Sequence, residues 1–216
     1  MTAKIDPLGV IIAGGQSRRF QANFSDPTEP QDKFLAAFGD TTLLGHIIRR
    51  AQQQIPRVIL NVNGDIRRVA AYGAPVISDD LTDAGPLGGI HAAMQYAHAE
   101  GHRHIITFSA DSPFFPDDYV PRLTQAVAQQ SGRGEKARIA ICQSHQAGGG
   151  RLHPVMGIFA VSLARDLQDY IESGERRVMG WIRRQDHKKV VWDNHDPDPF
   201  LNINNRQDLA AAEKYL

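Results

Sequence analysis

The chain has 216 residues, 42% of them hydrophobic and 22% charged, enough to bury the core of one large domain or at most two small ones. Its 24 basic and 24 acidic side chains cancel, leaving no global field to gather nucleic acid or an anionic membrane, so any anion has to be held by a local cluster. A single cysteine, Cys142, excludes an internal disulfide. The stretch Met1 to Leu8 lacks the apolar segment of a signal peptide, and no run reaches the ~18 apolar residues of a membrane span. A soluble cytoplasmic protein with no nucleic-acid or membrane partner is the expectation.

In chain order, the first element is a buried strand at Val10-Ile11-Ile12 that stops on Ala13-Gly14-Gly15 and is followed by Gln16-Ser17-Arg18-Arg19. Glycines at a strand end let main-chain N–H groups approach an anion, and two guanidinium forks suit phosphate oxygens; an ordinary strand-to-helix turn with solvated arginines gives the same pattern. Neither G-x-G-x-x-G nor G-x-x-x-x-G-K-[ST] occurs, which argues against a Rossmann dehydrogenase or a P-loop kinase. Lys33, just before the apolar pair Phe34-Leu35, adds a third cation to Arg18 and Arg19. Asp40-Thr41-Thr42 can cap a helix whose apolar side is Leu43, Leu44, Ile47, Ile48 and Ala51.

Strands are expected at Arg57–Leu60, Ala74–Ile77 and His104–Phe108, with a helix opened by Pro86 and carrying Leu87, Ile90, Met94 and Ala97, and another from about Pro116 to Gln129. The carboxyl part predicts strands at Arg138–Cys142 and Pro154–Phe159 around the Gly148-Gly149-Gly150 hairpin. Two helices follow, then strands near Lys189–Trp192 and at Phe200–Ile203, and a last helix capped by Asn205. The alternation predicts an α/β fold: a single-domain, doubly wound, mostly parallel sheet.

In such sheets ligands bind outside the carboxyl ends of the strands. Here those ends are Ala13-Gly14-Gly15, Asn61 with Asn63, Ser78-Asp79-Asp80, and Ser109-Ala110-Asp111. Asn61 can bond a base or ribose, Asp79 can accept from a base amino or ring N–H, and Asp111 can hold a divalent cation. Each residue type also serves as a plain turn or cap; four polar strand ends together point to a site. Mg²⁺ asks only one or two carboxylates plus phosphate oxygens and water, so a single aspartate suffices.

These residues carry a family resemblance. The strand followed by Ala13-Gly14-Gly15-x-Ser17-x-Arg19, the later Asp32-Lys33, the segment Asp79-Asp80-Leu81-Thr82-Asp83-Ala84-Gly85-Pro86-Leu87-Gly88-Gly89-Ile90, Asp111-Ser112-Pro113, Gly174-Glu175-Arg176-Arg177-Val178-Met179 and Phe200-Leu201-Asn202-Ile203-Asn204 together resemble the molybdenum cofactor guanylyltransferases of the nucleotide-diphospho-sugar transferase-like superfamily. The resemblance spans nearly the whole chain. It implies one Rossmann-like nucleotidyltransferase domain over 1–216, with a nucleotide-binding part at about 1–112 and an acceptor-binding part at about 138–216. It further implies GTP and molybdopterin (the molybdenum cofactor) as substrates, Mg²⁺ as cofactor, and other cofactor-biosynthesis proteins or recipient molybdoenzyme chaperones as partners.

Carried over residue by residue, Ile12, Ala13 and Gly14 match the nucleotide-binding strand end, to which Gly15 and Arg19 are added as nucleotide-binding candidates. Lys33 matches the phosphate-contacting lysine, Asn61 and Asp79 the guanosine positions, Asp111 the magnesium ligand, and Asn202 and Asn204 a pair on the pterin side. Lys33, Asp111 and Arg18 are the expected catalytic groups. Placed two apart in a strand, Asn202 and Asn204 would share a face and offer donors and acceptors to a flat heterocycle. The chain departs from the family pattern in its longer 21–31 segment, in Ala110 where cysteine is common, and in Asn205-Arg206 where Thr-Pro is usual.

The molybdopterin phosphate is already anionic near neutral pH. Attack on the α-phosphorus of GTP therefore needs positioning and charge neutralisation more than a strong base, and no covalent intermediate is expected. The alternatives are a CTP-dependent cytidylyltransferase, whose family more often shows Ala-Ala-Gly at the first strand end, and a non-catalytic nucleotide-binding module, expected to have lost the lysine or the metal carboxylate. A zinc hydrolase is disfavoured because the nine histidines, among them His145, His153, His187 and His195, show no ligand spacing.

Overall fold

The computed structural model describes residues 5–13, 32–129, 137–146, 149–193 and 195–216. Nine strands are found among them. β1 (Leu8–Ile12), β4 (Val58–Asn61), β5 (Val76–Ile77), β6 (His104–Ser109), β7 (Ile139–Gln146), β8 (Gly149–Ala160) and β9 (His187–Trp192) form one seven-stranded sheet in the order β5-β4-β1-β6-β8-β7-β9. β2 (Ala37–Phe38) and β3 (Thr41–Thr42) make a small antiparallel pair of their own. Within the large sheet β8 alone runs against its neighbours, pairing antiparallel with β6 and β7. The mostly parallel α/β expectation holds, with one reversed strand.

The apolar run of β1 is buried along its whole length because helices cover both faces of the sheet. Its side chains alternate: Ile11 joins the core under α1 (Leu43–Gln52) and α3 (Tyr119–Ala128), while Leu8, Val10 and Ile12 join the core under α2 (Pro86–Ala99), α4 (Ala164–Glu172) and α5 (Val178–Ile182). α1 begins where the sequence places it. Thr42 accepts from the Gly45 amide at 3.0 Å, and Leu43, Leu44, Ile47, Ile48 and Ala51 form its buried stripe.

From β1 the chain moves outward to β4 and β5, then returns past β1 to β6 on its other side. The strand order therefore reverses between β1 and β6, and the crevice outside the carboxyl ends of those two strands is where this architecture accepts a ligand.

Phe200–Ile203 does not form the expected strand. Pro197 and Pro199 cannot donate to a ladder, and Asp198 bends the segment into a turn. Its carboxylate accepts from the Phe200 amide at 2.9 Å and its carbonyl from the Leu201 amide at 2.9 Å. One main-chain bond, from the Ile203 amide to the Asp111 carbonyl at 2.8 Å, ties the segment to the end of β6. Asn205 does cap the last helix, α6 (Arg206–Ala212), accepting from the Asp208 amide at 2.9 Å. The structure adds a 3₁₀ helix at Ile66–Tyr72, capped by Asp65 and ended by Gly73 in the left-handed conformation.

His153 lies on β8 with its imidazole stacked on Phe200 and hydrogen-bonded to buried Ser144 at 2.9 Å. Burial, helped by nearby Arg151 and opposed by Asp198, lowers its pKa to about 4 from the ordinary 6.5. The unfolded chain therefore takes up a proton at this position below pH 6.5, while the folded chain resists until about pH 4. Stability is fully present above that window and is lost as the pH falls through it. In thermal melts from pH 7 to pH 4, His153→Gln should show a shallower acid limb than the parent; equal limbs would assign the acid sensitivity to carboxylates instead.

Candidate active site

Parallel pairing fixes the row of groups at the strand ends. Ile12 is in register with Asn61 on one side and Ser109 on the other, the Ala13 amide donates to the Asn61 carbonyl at 2.9 Å, and the Ala110 amide donates to the Ile12 carbonyl at 3.1 Å. Asn61, Ala13 and Asp111 thus stand side by side along one edge. Gly14, Gly15, Arg18 and Arg19 lie outside the described residues.

Asp111 is the junction. Its Oδ2 lies 2.8 Å from the Lys33 Nζ, its Oδ1 accepts from the Ser109 hydroxyl at 2.6 Å, and both ion-pair side chains are largely but not fully shielded, at 17% and 23% exposure. Ser112, fully buried, donates its hydroxyl to the Asn202 Oδ1 at 2.7 Å. Residues from the start, middle and end of the chain are thereby linked through one carboxylate and its neighbour. Lys33 opens a single 3₁₀ turn, Lys33–Leu35, and the adjacent Phe34 anchors that turn in the core as the sequence suggests.

A second cluster lies one strand away. Asp79 accepts from the Asn61 Nδ2 at 2.8 Å and from the Asn63 Nδ2 at 2.9 Å, and its own amide donates to the Asn63 Oδ1 at 2.9 Å. Asn61 is fully buried, and its Oδ1 has no hydrogen-bond partner. That oxygen faces the first turn of α2, where Cβ atoms built at Gly89 and Gly88 would stand 2.3 Å from the Asn61 Oδ1 and 2.9 Å from the Asp79 Oδ2. The Gly88-Gly89 pair is thus what lets α2 close on the two site residues. Asn61 holds Asp79 in place, and Asp79 is the group with exposed surface.

The Asn202–Asn204 pairing is not built as a strand face. Asn202 points to Ser112, whereas Asn204 is exposed, its amide N–H donating to the Asp208 carboxylate and its Nδ2 reaching the Asn202 carbonyl at 3.4 Å. The structure brings Asn202 to Ser112, the neighbour of Asp111, and leaves Asn204 exposed.

Two arginines to which the sequence assigns no individual role brace segments beside the site. Arg176 donates from Nε to the Asp83 carbonyl at 2.8 Å and from Nη1 to the Ile171 and Glu175 carbonyls, tying the end of α4 to the Asp79–Gly85 loop. That loop needs the tie: Asp83 and Gly85 both sit at positive φ, 53° and 57°. Arg68 contacts Asp32, next to Lys33, and Asn63. For Arg176 the signal was present in the Gly174–Met179 segment; for Arg68 there was none. Among the described histidines, His145 lies 3.7 Å from Asp193 and the His187 Nδ1 lies 2.9 Å from the Gln185 carbonyl.

The MobA-like NTP transferase domain family matches residues 9–190. The chain belongs to this family. Within the MobA-like group, a molybdenum cofactor guanylyltransferase of Rhizobium leguminosarum bv. trifolii is 41% identical over 96% of this chain and 92% of the relative. One from Nitrobacter hamburgensis is 35% identical over 99% and 97%. In fold, the MobA-like chain is similar to the molybdopterin-guanine dinucleotide biosynthesis protein A of Archaeoglobus fulgidus, with a TM-score of 0.65, 18% identity, and 96% and 97% coverage.

Gly89→Ala tests the packing of the second cluster. The new methyl cannot coexist with the Asn61 Oδ1 as placed, so Asn61 or α2 must shift, at a cost of about 1–3 kcal/mol in stability. Nucleotide affinity should fall by more than the melting change alone explains. Unchanged affinity in a titration of the folded variant would detach Asn61 and Asp79 from the ligand.

Proposed function

We propose that this chain is a molybdenum cofactor guanylyltransferase, moving GMP from GTP to the terminal phosphate of molybdopterin with release of pyrophosphate. The relationship to guanylyltransferases along nearly its full length supports the activity. The observation that carries the residue assignment is the Lys33–Asp111–Ser112–Asn202 chain of contacts at the strand-order reversal.

Asp79 is the group suited to the base. Guanine offers a ring N–H and an amino N–H₂ side by side, a pattern a carboxylate accepts with both oxygens, whereas neutral cytosine offers an amino group alone. Asn61 and Asn63 hold the carboxylate rigid from behind, which keeps the ordering cost out of the binding step. Lys33 places a cation beside Asp111, and Arg18 and Arg19 complete the proposed set for the distal phosphates. On the other flank, Asn202 supplies an amide toward the acceptor, oriented by Ser112.

The donor set around Asp111 fits a magnesium ion. One partly exposed carboxylate has the hard hydroxyl oxygen of Ser109 on one side and Lys33 on the other, and Mg²⁺ needs only such a carboxylate when phosphates and water complete its shell. Asp111 would hold it, and when bound it supplies charge neutralisation between the two reacting phosphates. The residues of the chain do the rest: Asp79 fixes the base, Lys33 faces the phosphates, and the acceptor phosphate is aligned from the Asn202 side. No general base is required, because the attacking phosphate is already anionic.

Turnover with purified molybdopterin and either GTP or CTP, followed by pyrophosphate release and dinucleotide analysis, tests the reading. Guanine dinucleotide should form with GTP, and a preference for CTP would overturn it. Asp111→Asn keeps the shape of the side chain but removes its charge, and transfer should fall on the order of 10²–10³-fold while metal-free GTP binding changes little. Retained turnover at ordinary Mg²⁺ would remove Asp111 from the reaction.

A further inference from the structure

Lys33 stands on a turn too short to hold itself. The 3₁₀ segment Lys33–Leu35 has two main-chain bonds at its ends, from the Leu35 amide to the Asp32 carbonyl at 2.9 Å and from the Ala36 amide to the Lys33 carbonyl at 3.2 Å. A single turn of this kind has little stability of its own. Phe34 fixes one side of it in the core. The other side is fixed by Arg68, on the 3₁₀ helix Ile66–Tyr72.

The Arg68 guanidinium spends each of its edges on the surroundings of the site. Nη1 pairs with the Asp32 carboxylate, Nη2 donates to the Asn63 carbonyl at 2.6 Å, Nε donates to the Asp65 carbonyl at 2.8 Å, and the plane lies over the Phe34 ring at 5.9 Å. Gly64 separates the two carbonyls and adopts φ 84°, turning the chain so that both meet one guanidinium. Asp32 immediately precedes Lys33, and Asn63 exchanges two hydrogen bonds with Asp79. One planar fork thus joins the lysine turn to the carboxylate on the base side. The adjacent Arg67 contrasts with it: 88% exposed, it pairs with Asp65 at the surface.

We infer that Arg68 is a positioning residue: through Asp32 it sets the Lys33 turn against the Asn63–Asp79 pair, so that phosphate and base contacts are made by one nucleotide at once. The inference rests on the assignment of Lys33 and Asp79 to the nucleotide in the proposed function. A lysine cannot replace Arg68, because a point ammonium does not span a carboxylate and two carbonyls in a plane.

A double-mutant cycle on the full chain separates this role from a general structural one. GTP with Mg²⁺, and GMP as the short comparison, are titrated against the parent, Lys33→Ala, Arg68→Ala and the double variant. Lys33→Ala alone reports on the functional assignment and should weaken GTP far more than GMP. Arg68→Ala should copy that selectivity, weakening GTP by about 10-fold, the scale of lost charge-assisted hydrogen bonds, and the double variant should bind GTP nearly as well as Lys33→Ala. Asp32→Asn should reproduce the Arg68→Ala loss, Arg68→Lys should recover little of it, and Arg67→Ala should change nothing. Additive losses in the cycle, equal losses for GTP and GMP, a parent-like Arg68→Ala, or an Asp32→Asn that binds GTP normally would each overturn the role. Should Arg68→Ala fail to fold, Asp32→Asn carries the same cycle with Lys33→Ala.

Discussion

A carboxylate placed at the end of a central strand must find a bonding partner for every lone pair that water does not reach, and here that requirement draws distant parts of the chain together. Asp111 takes Lys33 on one oxygen and Ser109 on the other, while its own carbonyl receives the Ile203 amide. Lys33 is 78 positions away in sequence. The contact exists because β1 and β6 are adjacent with their carboxyl ends level, which in turn follows from the reversal of strand order between them. Remove the adjacency and neither the lysine turn nor the Asn202 segment has anything to close on.

The neighbouring cluster obeys the same rule with amides in place of an ammonium. Asn61 is buried entirely, so its Nδ2 must be satisfied, and Asp79 satisfies it. Its Oδ1 is left without a partner against Gly89, an arrangement that costs about 1–3 kcal/mol. A cost of this size is what a pre-set carboxylate entails: under the proposed function, the free protein would hold Asp79 ready instead of leaving the ordering to the nucleotide. Gly88 and Gly89 make the arrangement geometrically possible, which gives the glycines at the start of α2 a role in the site as well as in packing.

Much of this was legible in the residues. Strands at Val10–Ile12, Arg57–Leu60 and His104–Phe108, and helices with the Leu43–Ala51 and Leu87–Ala97 stripes, follow from period and capping alone and appear almost where expected. The strand ends followed, and with them Asn61, Asp79 and Asp111. The carboxyl segment was misread because Phe200-Leu201-Asn202-Ile203 has a strand's composition, while the prolines at 197 and 199 and the Asp198 turn, which decide the outcome, act from outside the window. The alternation argument for Asn202 and Asn204 fails with the strand, although Asn202 still reaches the site by a bond to Ser112 that no periodicity encodes. Arg68 was illegible for a like reason: its three contacts are to backbone carbonyls and to a carboxylate 36 positions away, and nothing in the local pattern distinguishes it from exposed Arg67.

The pairing of charges also bears on how a chain with no net charge would handle the polyanion of the proposed reaction. Lys33 and Arg68 are already matched in the free protein, by Asp111 and by Asp32, so neither is left desolvated and unpaired. In the proposed reaction, attraction for phosphate would be local and short in range, set by where these pairs stand and hardly at all by the field of the whole molecule. The two pairs differ in what they can release. Arg68 is bound in three directions and stays put, whereas Lys33 has one partner at the end of a flexible stem. Under the proposed function, the rigid pair would fix the position of the turn and the movable one would meet the nucleotide.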